Sequence, residues 1–159
     1  MSDPVQRAHE IVAKCTDPKQ LRQIAANAHR KGEEQLRRAA MLRLYEVQPS
    51  EKKGTLEYNV WQSIYALEGE LSHERGKTTR LFRTRQKIAR DGEQGTVADL
   101  VLGKVSDGFT MLVERDLPEL TFEAVAMKHP SRFDRKVLSA AEKRLREAGY
   151  DPRAFTAQA

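Results

Sequence analysis

Apolar residues recur along this chain at three- and four-residue intervals, and no stretch of alternating, β-branched character stands out. That is the period of amphipathic helices rather than of strands. Asp3-Pro4 opens a first helix that reaches about Lys14: a capping Asp, then Pro where a missing N–H costs nothing. Thr16-Asp17-Pro18 repeats the signal. Leu21, Ile24, Ala25 and Ala28 then form a stripe that stops at Gly32, a suitable C′ residue. Leu36, Ala39, Ala40, Leu44 and Val47 are the inward face of a third helix starting at Glu33, so residues 17–47 read as an αα-hairpin. Its size resembles one unit of a helical repeat, but no second copy follows at a fixed period.

The polar run QPSEKKG at 48–54 reads as a linker between an N-terminal helical unit, 1–47, and a second region, 55–159. Beyond it Leu56, Val60, Ile64, Leu67 and Leu71 are spaced 4, 4, 3 and 4 apart. The same spacing continues through Glu74, Thr78, Leu81, Arg85 and Ile88. One helix over 55–90 would be about 54 Å long at 1.5 Å per residue. Gly76, with polar stripe positions on both sides, is the expected place for a kink or break. Glu68, Glu70 and Glu74 precede it and the cations follow it, so an antiparallel fold-back would bring acid to base.

Residues 90–95 read as a loop, after which Thr96 caps a short helix ending near Gly103, with Asp99 completing a capping box. Ser106-Asp107 caps the next helix. Residues 116–119 end it and open another, which carries Leu120, Phe122, Val125 and Ala126 and stops before His129-Pro130. Ser131 with Asp134 makes a further capping box for a last helix to Ala148, with Gly149 as terminator. Asp151-Pro152 opens a final turn, and the tail AFTAQA is expected to fray. The prediction is an all-α, compact multi-helix bundle of seven or eight helices around one long central helix, and the short helices after Thr96 are compatible with a helix-turn-helix.

Composition narrows this picture. With 39% hydrophobic and 32% charged residues in 159, the chain can bury a core without disulfides or metals. One cysteine, Cys15, rules out an internal disulfide. No run approaches the roughly 18 apolar residues of a membrane helix, and residues 1–10 lack an apolar signal core. The expectation is a cytoplasmic protein with no membrane role.

Charge changes the picture more. The net charge is +5, and residues 71–91 set Arg75, Lys77, Arg80, Arg83, Arg85, Lys87 and Arg90 against Glu74 alone between their ends. Wound as a helix from Lys77 at about 100° per residue, Lys77, Arg80, Arg83, Lys87 and Arg90 share one side. Leu81, Ile88, Thr78, Ala89 and Phe82 fall between about 20° and 140° on that wheel. Arg85 falls near 80°, on the apolar side, where a guanidinium needs an acidic partner or a cleft. Lys128, His129, Arg132, Arg135 and Lys136 form a second cationic patch near a helix start, which itself attracts anions.

Clustered Lys and Arg on a helix face displace counterions from a nucleic-acid backbone. The sequence therefore predicts a DNA-binding helical protein, with double-stranded DNA favoured because helix faces suit grooves. Lys77, Arg80, Arg83, Lys87 and Arg90, with Lys128, Arg132, Arg135 and Lys136, would hold phosphates, and Arg85 or Arg83 would reach a base edge. With five phosphate contacts, affinity would fall by about two orders of magnitude or more between 50 and 200 mM salt. The alternative is a protein-interaction or oligomerisation scaffold, whose basic helix docks on an acidic partner or on a second copy of itself.

Catalysis has little support. Gly76-Lys77-Thr78-Thr79 fails the P-loop pattern, which needs a glycine where Leu71 stands and a preceding strand. The four histidines His9, His29, His73 and His129 are scattered, with no HExxH or CxxC, so no metal or other cofactor is expected. No carboxylate pair has the isolated apolar setting of acid–base catalysis. Tyr58, Trp61 and Tyr65 share one helix side, and core packing explains them as well as base stacking does.

Overall fold

The structure, a computed structural model, describes residues 3–156. Residues 1–2 and the tail positions 157–159 lie outside it. The described residues form eight α-helices and no strand, an all-α fold. The chain divides into two units, 1–50 and 51–159.

The first unit holds α1 (Pro4–Lys14), α2 (Pro18–Arg30) and α3 (Glu34–Val47). Asp3 and Asp17 cap α1 and α2 through their carboxylates, each followed by proline, and Gly32 leaves α2 at φ 73°. Val12, Leu21, Ala25, Ala28, Leu36, Ala40 and Leu44 close a core of small and medium side chains. Arg43 donates to the Cys15 carbonyl at 2.9 Å and so ties the end of α1 to α3.

The second unit begins where Thr55 caps α4 (Leu56–Arg75). Its stripe Leu56, Val60, Ile64, Leu67 and Leu71 is buried. The long helix predicted over 55–90 is broken: Gly76 takes the left-handed conformation at φ 68°, ψ 19°, which a side chain would disfavour, and ends α4. Residues 77–81 are not helical, and α5 (Phe82–Leu102) starts only at Phe82. The connection is held by α4 itself. The Ser72 hydroxyl accepts the Thr79 N–H at 2.8 Å, and the Glu68 carboxylate accepts the Leu81 N–H at 2.9 Å. The pairs Thr79 with Ser72, Arg85 with Glu68, and Trp61 with Glu93 run α5 back antiparallel along α4.

Two expectations in this region fail. The loop at 90–95 is a single kink at Gly92 (φ 79°, ψ 169°), with helix on both sides. Thr96 is not a cap but fully buried inside α5, its hydroxyl without a partner among the described residues. Ser106 caps α6 (Asp107–Glu114) as its sequence indicates, and Thr121 caps α7 (Phe122–Lys128) after a short 3-10 turn, Pro118–Leu120. Asp134, not Ser131, caps α8 (Arg135–Glu147); Ser131 sits in the 3-10 turn Pro130–Arg132. Ala154 and Phe155, the start of the tail, belong to a last 3-10 turn, Pro152–Phe155. Helix α7 buries five consecutive residues, Glu123–Met127, and packs on α4, α5 and α8. Around it lie Val60 and Ile64, Val97 and Val101, Phe109, and Val137, Ala141 and Leu145.

Candidate functional site

The late start of α5 dissolves the five-cation stripe. Lys77 and Arg80 precede the helix, so they do not share a helical face with Arg83, Lys87 and Arg90. The predicted core face is also redistributed. Ile88 is buried and Leu81 half-buried, whereas Thr78, Phe82 and Ala89 are exposed.

Three of the cations on α5, Arg85, Lys87 and Arg90, are committed to neighbouring acids. Arg85 makes a two-pronged pair with the buried Glu68, Nε and Nη2 each donating at 2.7 Å. Its guanidinium also lies 5.2 Å from the Trp61 ring and 5.8 Å from the Tyr65 ring, close enough for cation–π attraction. The Glu68 hydrogen bond holds the Arg85 pKa above its ordinary value. This is the acidic partner the wheel demanded. Lys87 donates to Asp91 and Asp99, both at 2.9 Å, and Arg90 donates to Asp91 at 3.1 Å. Hydrogen bonds from Arg90 and then Lys87 hold the Asp91 carboxyl below its usual range.

The second patch divides in the same way. Arg132 pairs with Glu57 at 3.0 Å and donates to Gln94 at 3.0 Å, and it depresses the Glu57 carboxyl. Lys128, Arg135 and Lys136 are exposed. Arg132 is anchored at the first turn of α4, while Lys77 follows its last turn. At 1.5 Å per residue that sets Lys77 about 27 Å from the Arg132 anchor, but α5 runs back along α4, and Arg132 donates to Gln94, only four residues past Arg90. Six predicted phosphate contacts therefore keep no ion pair among the described residues: Lys77, Arg80, Arg83, Lys128, Arg135 and Lys136.

Two of these six border a feature that the sequence did not reveal. A cavity of about 510 Å³ opens between α4, the 80–84 segment, α6 and the start of α7. Ile64, Leu67, Leu81, Phe82, Leu100, Phe109, Met111, Leu112 and Phe122 make its wall apolar. Ser63, Ser106 and Gly108 leave the space open by being small. Arg80, Arg83 and Asp107 also line it, all three exposed. Phe82, between the two arginines in sequence, is 67% exposed.

One buried ion pair underlies this wall. Glu123 is 2% exposed and receives Arg144 at 2.6 Å. Burial pushes the Glu123 carboxyl up, against the pull of Arg144. The same guanidinium donates to the carbonyls of Leu100, at 3.1 Å, and Gly103, at 2.5 Å, so it fixes the end of α5 against α7 and α8. What the site offers is apolar area, two uncommitted guanidinium groups and a braced wall, an arrangement suited to binding.

Among the described residues no group of three or more His, Cys, Asp or Glu side chains could hold a metal ion. None of the described helices is long and apolar enough to cross a membrane. No family model, no curated protein and no solved structure matches the chain.

Proposed function

We propose that this chain is a protein-interaction module, and that the apolar groove beside Phe82 is where its partner docks. The observation that carries this reading is the open apolar groove with an aromatic side chain two-thirds exposed beside it. Folded chains rarely leave a large aromatic in water next to an unfilled apolar concavity without a use for it. The electrostatics point the same way, since Arg85, Lys87, Arg90 and Arg132 are neutralised from within.

Selection of a random-sequence peptide display library on the immobilised full chain tests the reading. Selected peptides should bind the Phe82→Ser variant roughly tenfold more weakly, the share of one aromatic contact. Phe82 is exposed, so the variant should keep its helical circular dichroism. Peptides indifferent to the substitution, or none selected at all, would overturn it.

Nucleic-acid binding is the second reading, favoured by the six cations without an ion pair. It predicts retention of mixed-sequence duplex DNA in an electrophoretic shift, steeply weakened by salt and untouched by Phe82→Ser.

A further inference from the structure

We infer that the groove's occupant is an amphipathic helical segment of another protein, with acidic residues flanking its apolar face. The inference rests on the docking reading above and adds the conformation and charge of the partner. Size comes first. A volume of about 510 Å³ admits a few large side chains but not a polypeptide's full width. Exposed apolar side chains stand on the cavity wall and close to it in sequence, however: Phe82 on the wall is 67% exposed, and Leu102 and Val105 are 50% and 55% exposed. Leu102 ends α5 and Val105 lies in the α5–α6 connection, both between the lining residues Leu100 and Ser106 in sequence. A ligand that covers these side chains as well as the cavity is larger than a metabolite.

Backbone hydrogen bonding decides the conformation. A segment lying in an apolar groove must satisfy its own N–H and C=O groups, because leaving them unpaired is costly. An extended peptide does so by joining a sheet edge. The described residues contain no strand, so there is no edge to join. A helix brings its backbone already paired and presents anchors at i, i+3, i+4 and i+7.

Charge decides the flank. Arg80 and Arg83 are exposed, bracket Phe82 and have no ion pair among the described residues, although Lys87 and Arg90 a turn or two further on are both paired. Of the two acids lining the groove, Glu123 is held by Arg144, which leaves Asp107 as the exposed one. The planar guanidinium favours two-pronged contact with carboxylates. A helix with Glu or Asp beside its apolar face complements Arg80 and Arg83, which outnumber Asp107, the one exposed acid of the lining.

The test uses the full chain and two fluorescein-labelled amphipathic peptides of about 16 residues, long enough to form a helix on binding. Both carry Leu at i, i+3, i+4 and i+7; one has Glu at the flanking positions and the other Lys. Fluorescence anisotropy should give the Glu peptide about a fivefold advantage at low salt, shrinking as salt rises. The Arg80→Glu/Arg83→Glu variant should reverse the preference. Both peptides should weaken against Phe82→Ser. Equal binding of the two peptides, both weakened by Phe82→Ser, overturns the acidic flank and leaves the docking reading standing. Binding of neither overturns the helical occupant, and a display selection that is also indifferent to Phe82→Ser removes the docking reading with it.

Discussion

Arg80 and Arg83 are followed within seven residues by Arg85, Lys87 and Arg90, yet the two groups live in different surroundings. The later three face acids: Glu68 across the hairpin, Asp91 one turn on, and Asp99 beyond the Gly92 kink. The earlier two face an apolar groove and no ion-pairing acid among the described residues. The difference comes from backbone geometry. Because α5 starts at Phe82, Arg80 and Arg83 flank its first residue while the others ride on its body. A run of like charge in a sequence is thus two things here: a brace for the hairpin and a rim for a groove.

The comparison breaks most visibly at Glu68. Glu68→Ala removes the acceptor for both Arg85 nitrogens and for the Leu81 N–H, and leaves a three-quarters buried guanidinium unpaired. Removing one partner of such a pair should cost about 3 kcal/mol. Arg83→Ala, on the rim, should shift stability by no more than about 0.5 kcal/mol. Trp61 is the chain's one tryptophan and packs on Arg85, so its fluorescence during urea unfolding reports the second unit alone. Equal costs for the two variants would mean that Arg85 is no brace.

The next largest effects separate the two glycines of the segment that the sequence presents as a loop. Gly92 has space around it, but its φ and ψ lie where only glycine is at ease. Gly92→Ala should therefore cost about 1–3 kcal/mol through strain alone. Gly95 is ordinary helix, and a Cβ there would meet the Asp91 Cβ at 3.5 Å, a normal contact. Gly95→Ala should stabilise by roughly 0.5–1 kcal/mol. If both substitutions destabilise alike, α5 is not a continuous helix with one kink.

These residues also show what could be read in advance. The break at Gly76 was legible, because an isolated glycine in a stripe with polar flanks is a left-handed C-cap waiting to form. The need of Arg85 for an acid was legible from its place on the apolar side, and the fold-back supplied Glu68. The helix start at Phe82 was not. Leu81 carries no capping side chain, and the Thr79 and Leu81 N–H groups are satisfied by Ser72 and Glu68 from the preceding helix. Thr96 misled because a hydroxyl beside glycine looks like a cap, whereas its neighbours bury it. The groove was invisible for another reason. Its walls come from five separated stretches whose leucines and phenylalanines look like ordinary core, and only packing shows the void they leave.

At the far end of the unit, pH offers a smaller effect. Burial, with Lys128 and Arg132 nearby, holds the His129 imidazole below its ordinary pKa, while Glu57 opposes them weakly. The fold thus favours the neutral ring, whose Nε2 meets the Asn59 side-chain oxygen Oδ1 at 2.8 Å. A folded pKa below the unfolded value gives stability that is present above the unfolded pKa, near 6.5, and is lost as pH falls through the folded one. The wild type should lose stability between pH 7.5 and 5.5 relative to His129→Gln, which keeps a donor for Asn59. Parallel pH curves for the two proteins would show that His129 does not contribute.

The smallest change in stability should have the most informative consequence for binding. Asp91→Asn/Asp99→Asn removes both acids from Lys87 and the carboxylate from Arg90, leaving amides of nearly the same shape. Solvent screens these surface pairs, so the loss of stability should be small. Arg90 would then resemble Arg80 and Arg83, an exposed cation with nothing to neutralise it, and the half-buried Lys87 would be left without an acid as well. If internal acids are what keep this helix from being a phosphate-binding surface, the double variant should hold mixed-sequence duplex DNA that the wild type holds weakly or not at all. Each newly recruited cation should steepen the dependence of log affinity on log salt by about 0.9. Peptide docking beside Phe82 should be unaffected, since neither aspartate lines the groove. A wild type that already binds DNA as tightly as the variant would mean that the six cations without an ion pair suffice, and nucleic acid would then displace a protein as the partner.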